Sequence, residues 1–163
     1  MLKLSYILRM VALSILFGGS IAVVVSAITL VKAAQAQGIA TAVAATANAP
    51  MFMTFSSIVM VCGFILLAGE ALDYAKERKI NKLIGTRYAA SLTAVAATMV
   101  LAFAVVPPMK RMLEAGSIHS TGETEDTWKT FHETSRIVFG VIILSSFVAL
   151  VVPGFEKKNA TLS

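Results

Sequence analysis

The stretch WKTFHETSRIVFGVIILSSFVALVV, residues 128–152, decides the fold class. Its first third is polar and brings His132, Glu133, Ser135 and Arg136 up to an apolar run that carries no charge over residues 137–155. As a helix rising about 1.5 Å per residue, that run covers a hydrocarbon core of about 30 Å. Three more runs of the same kind precede it, over residues 10–31, 51–69 and 88–106. Residues 33–69 contain no Asp, Glu, Lys or Arg. A soluble domain can bury one such run, but not four. The chain is 57% hydrophobic and 14% charged, whereas soluble domains carry about 25% charged residues. The expectation is an all-α integral membrane bundle of four transmembrane helices in a single domain, residues 1–163. The last helix starts near Trp128, and residues 109–127 form a polar outer loop.

The connections sharpen this picture. Ala34-Gln35-Ala36 has the form of a signal-peptidase site, but the first apolar run exceeds the roughly 7–15 residues of a signal peptide and reads better as a span. Residues 33–49 are alanine-rich, with Gln35, Gln37, Thr41, Thr46 and Asn48 as polar groups, which suits a short interfacial helix between the first and second spans. Pro50 fits the first turn of the second span, where a missing N–H costs nothing. Glu70 and Asp73 then read as a solvated, charged helix end near Lys76 and Arg87. Gly85 reads as the break before the third span. Pro107 and Pro108 close that span by removing two donors and favouring extended backbone. The third span is rich in alanine and slim, so it is expected at the centre. Asp126 or Thr127 is the expected cap of the last helix.

Orientation follows from basic residues. Lys3, Arg9, Lys76, Arg78, Lys79, Lys82, Arg87, Lys157 and Lys158 share one side of a four-span topology, against Lys32, Lys110, Arg111, Lys129 and Arg136 on the other. The richer side is cytoplasmic, which puts both termini there. The net charge of +5 sits at span ends rather than among aromatics, so nucleic acid is not an expected partner. The expected partners are the lipid bilayer and a second protein or a second copy of the chain. Cys62 stands alone in an apolar run, with no metal spacing. No nucleotide loop, zinc spacing, Gly-x-Ser-x-Gly or paired intramembrane histidine is present, so no enzyme and no cofactor is expected.

Three groups of residues remain as candidates. Ser14, Gly18, Ala22 and Ser26 recur every four residues and form one small-residue stripe, widened by Gly19 and Ser20. Such a stripe lets another helix approach closely, or lines a cavity. His132 and Arg136 share an i,i+4 line with Trp128 and Gly140. Ionisable groups at a membrane boundary are candidates for a polar site, although Trp and Arg also anchor helices at the headgroups. Met51, Met53, Met109 and Met112 fall in one outer layer with His119 and His132, a ligand set that would suit Cu(I). Methionine also packs well among small residues, and packing is the more economical reading.

The chain resembles the transmembrane protein 205-like family of four-helix membrane proteins, a family grouped as a domain of unknown function. The resemblance rests on Gly18-Gly19 in the first helix, Pro50-Met51-Phe52 at the start of the second, Pro108-Met109-Lys110-Arg111 at the end of the third, and His132-x-x-Ser135 at the entry to the last. It covers most of the chain. Where the family carries Trp just before the glycines, this chain has Leu16-Phe17. The resemblance implies a fold and a membrane location, not a reaction. The function expected from these residues is that of a non-enzymatic accessory or structural subunit, associating through small-residue helix faces. The alternative is a small transporter or copper-handling protein with its site under the outer loop.

Overall fold

The computed structural model describes residues 2–75, 81–115 and 123–161. All regular elements among them are helical: α1 Leu2–Ser14, a π turn Ile15–Gly19, α2 Ser20–Ala36, α3 Thr41–Ala47, α4 Ala49–Tyr74, α5 Lys82–Val100, a second π turn Leu101–Val105, α6 Val106–Glu114 and α7 Glu123–Thr161. The π turns interrupt rather than end their helices. Thus α1 and α2 form the first span, α4 the second, α5 and α6 the third, and α7 the fourth. Four helices are long and apolar enough to cross a membrane: Leu4–Ala36, Ala49–Tyr74, Lys82–Glu114 and Asp126–Pro153.

Packing follows chain order. The first span lies against the second and fourth, and the third lies against the second and fourth. Each span therefore has two main neighbours, with the first and third at diagonal corners. The alanine-rich third span is not central, contrary to expectation. Alanine lets it approach α7 closely, and its outer face remains exposed at Leu92, Val100 and Phe103. The core is a column of Leu13, Leu16, Val59, Leu66, Ala94, Leu101, Phe139, Ile142 and Ala149. The outside is equally apolar. Leu144 is 68% exposed and Phe103 64%, which suits lipid as the solvent of these faces.

Two connections differ from the sequence reading. Pro107 and Pro108 do not break the third span but open α6, as the first residues of a new helical segment. The π turn before them explains why. The Val106 N–H bonds to the Leu101 carbonyl, one residue further back than in an α-helix, so the carbonyl pattern is already shifted where the two prolines lack donors. Gly85 is not a break either. Asn81 caps α5 by accepting the Ile84 N–H at 2.8 Å, and Gly85 lies inside the first turns. The connection before the last span is shorter than residues 109–127: α6 runs to Glu114 and α7 begins at Glu123. Asp126 and Thr127 consequently lie within α7 and do not cap it. A short helix, Thr41–Ala47, does form before the second span, and Pro50 lies in the first turn of α4. Asn48 ties this corner to α2, donating from Nδ2 to the Ala27 carbonyl at 3.4 Å.

Candidate functional site

The most concentrated chemistry lies where the first three spans meet, at the end of the bundle that carries the N-terminus. Arg9 of α1, Glu70 and Asp73 of α4, and Arg87 of α5 converge there. Three of these side chains are almost fully buried: Arg9 at 3%, Glu70 at 4% and Arg87 at 4% exposure. Arg9 donates from Nη1 to Asp73 Oδ2 at 2.6 Å and stands 3.9 Å from Glu70 Oε2. Arg87 Nη2 lies 3.2 Å from Glu70 Oε2 and 3.8 Å from Asp73 Oδ2. Hydroxyls complete the set. Ser5 donates to Asp73 Oδ1, and Ser91 donates to Glu70 Oε1 at 2.7 Å. Two guanidinium groups thus face two carboxylates, so the cluster is charge-balanced, as a buried ionic group must be.

The local sequence builds this site simply. Ser5 and Arg9 are one turn apart on α1, and Arg87 and Ser91 are one turn apart on α5. Glu70 and Asp73 are at i,i+3 on α4, so all three pairs present one face each. Gly69 lies where α4 and α1 come close. A Cβ there would lie 3.4 Å from both the Arg9 nitrogen and the Ser5 carbonyl oxygen. The arginines also lie over aromatic rings, Arg9 above Tyr6 at 5.6 Å and Arg87 above Tyr88 at 4.5 Å. Tyr88 is in turn edge-on to Tyr74.

Sequence reasoning missed this site. Glu70 is buried rather than part of a solvated helix end, because α1 and α5 close over it. Lys76, its expected neighbour, lies outside the described residues. A signal was present: the first apolar run starts at Met10 just after Arg9, the second ends at Gly69 just before Glu70, and the third starts at Tyr88 just after Arg87. Antiparallel spans of matched depth must bring those three charges to one level.

The expected candidates fall elsewhere. His132 is half-buried on α7, while Arg136 is exposed. Arg136 lines an open depression of about 430 Å³ together with Glu133 and Ile137. Trp128 packs toward the core, and a Cβ on Gly140 would meet nothing within 4 Å, so the four residues of that line do not share one environment. Met109 is buried in the core, whereas Met51, Met53 and Met112 are half-buried. Met51 and Met53 are two residues apart on α4, a spacing that turns them to different sides of a helix. His119 lies outside the described residues. Among the described residues, no group of three or more His, Cys, Asp or Glu could hold a metal.

The small-residue stripe divides in two. Ser14, Gly18, Ala22 and Ser26 are all exposed, and a Cβ on Gly18 would meet nothing within 4 Å. Gly19 faces inward, where its Cβ position lies 2.9 Å from the Phe55 ring. Phe55 stacks on Phe139 of α7.

A bundle with apolar outer faces and a charge-balanced ionic cluster at one end fits the class of polytopic helical membrane proteins. The sequence matches no protein-family model, and neither a curated protein nor a solved structure matches it.

Proposed function

We propose that the chain is a non-enzymatic integral membrane protein that serves as an accessory or structural subunit, associating through the outer face of its first span. The observation that carries this reading is the exposed stripe of Ser14, Gly18, Ala22 and Ser26. Within lipid, helices gain little from apolar burial alone, and faces of small residues are the ones that permit close backbone contact. A stripe that no described helix of the same chain covers is available to a helix of another. The kinship with transmembrane protein 205-like proteins belongs to this proposal, as does an orientation with both termini in the cytoplasm.

The test is purification in lipid nanodiscs, with mass spectrometry and elemental analysis of the same sample. A stoichiometric second helix-bearing protein, or a second copy of the chain, supports the reading. A lone chain carrying copper moves the function to metal handling. Gly18→Leu is expected to abolish the association, leaving the lone chain as the main species. Val24→Leu, on the opposite side of α2, leaves the complex intact. Equal elution profiles for the two variants would remove the stripe from consideration.

A further inference from the structure

The two π turns lie in the two spans that carry Arg9 and Arg87. They also lie at one depth. Gly19 meets Phe55 of α4, so the first π turn runs beside residues 55–59 of that helix. Gly63 meets Thr98 of α5, and Ser91 bonds Glu70, so three residues on from Thr98 the second π turn begins beside Met60 and runs toward Ser56. Both π turns contact α4, and both contact α7. The second π turn accommodates Pro107 and Pro108. The first precedes no proline, and the residue that follows it, Ser20, has a fully buried Oγ without a hydrogen-bond partner among the described residues. Single π turns inside α-helices mark places where a helix changes its hydrogen-bond register and bends.

We propose that the Arg9–Glu70–Asp73–Arg87 cluster is a latch that holds one end of the bundle shut, and that the first and third spans pivot at their paired π turns when it opens. The geometry favours this end. The arms at diagonal corners carry only cations, and α4 between them carries only carboxylates. The closure between the first and third spans therefore runs through α4. Arg9 is held by Asp73 at 2.6 Å and Arg87 by Glu70 at 3.2 Å. An event that engages Asp73 thus frees the first arm and removes the weaker of the second arm's two carboxylate contacts, at 3.8 Å. On the far side of the π layer, closure is apolar, through Phe52, Phe139 and Met109. That contact has no comparable release. This inference is independent of which protein covers the stripe on the first span.

Cys62 is a natural reporter. It is the single cysteine of the chain, it is buried, and it lies on α4 between the latch and the π layer. In nanodiscs, a charged, water-soluble maleimide is expected to label Cys62 at least tenfold faster in Asp73→Asn than in the unaltered protein. Ser91→Ala, which removes only the hydroxyl on Glu70, is a milder opening and should give an intermediate rate. The counterpart reporter is Met109→Cys in a Cys62→Ser background, on the other side of the π layer. Its labelling should stay unchanged by Asp73→Asn. Labelling of both reporters would mean general loosening and overturn the latch. Unchanged labelling of Cys62 in both variants, with each eluting as a single folded species, would overturn it equally.

Discussion

Arg9→Leu is expected to cost about 3–5 kcal/mol of stability, the range for removing one partner of a buried ion pair. The loss does not come from the 2.6 Å bond to Asp73 alone. Without Arg9, both carboxylates of α4 face the single guanidinium of Arg87, in a site where Glu70 is 4% exposed. Water cannot replace the missing cation without entering the bundle. The same reasoning gives the opposite result when the whole cluster is removed. The fourfold variant Arg9→Met, Glu70→Leu, Asp73→Leu, Arg87→Met is expected to be as stable as the unaltered protein or more so, because no buried charge is left unpaired. Denaturation in mixed detergent, followed by circular dichroism, measures both. The charge-exchanged pair Arg9→Asp with Asp73→Arg should recover part of the loss, which a double-mutant cycle isolates as coupling. If Arg9→Leu stays within about 0.5 kcal/mol of the unaltered protein, the range of ordinary surface substitutions, then the cluster is solvated and the account of this site fails.

Apolar residues at these positions would lose the register that paired charges impose. An ionic cluster at one depth ties α1, α4 and α5 into one register. Sliding any span by a turn would strand a charge in lipid or in the core. Ionic groups retained for specificity rather than for stability have this signature.

The four spans were legible because lipid rewards uninterrupted apolar sequence, which no tertiary contact is needed to see. The ionic cluster was not read, because each of its members has an ordinary local explanation. Arg9 and Arg87 look like flanking charges that set orientation, and Glu70 looks like a helix end. Only the convergence of residues 64 and 68 positions apart turns them into one site. Pro107 and Pro108 misled for a different reason. A proline pair predicts a stop when an α-helix is assumed, but a π turn placed ahead of it shifts the carbonyls and lets the helix continue. Gly18 and Gly19 read from sequence as parts of one small-residue groove, yet they face different ways. Adjacent residues on a helix lie about 100° apart, so one glycine meets Phe55 and the other the exterior.

Gly63→Leu is expected to prevent the second and third spans from closing, with a loss beyond the roughly 1–3 kcal/mol typical of an overpacked core. Even Gly63→Ala meets trouble. A Cβ there would stand 2.5 Å from Thr98 Oγ1 and 3.2 Å from the Met99 methyl. Met99 can move its flexible end. Thr98 cannot, because it is fully buried and its hydroxyl donates to the Val95 carbonyl at 2.7 Å. Thr98→Ala removes the obstructing atom, so Gly63→Ala with Thr98→Ala should be more stable than Gly63→Ala alone. Thermal melts of the four combinations read this coupling directly, and additive losses would mean that α4 and α5 do not meet at Gly63. Gly18 supplies the contrast. It has open space around its Cβ position, so Gly18→Ala should leave the melt unchanged or raise it slightly, as helix propensity favours alanine by about 0.5–1 kcal/mol. Gly18→Leu should then alter association without altering the melt, while Gly63→Leu alters the melt first. Two glycines of similar appearance in the sequence thus separate what holds this bundle together from the face proposed to join it to another chain.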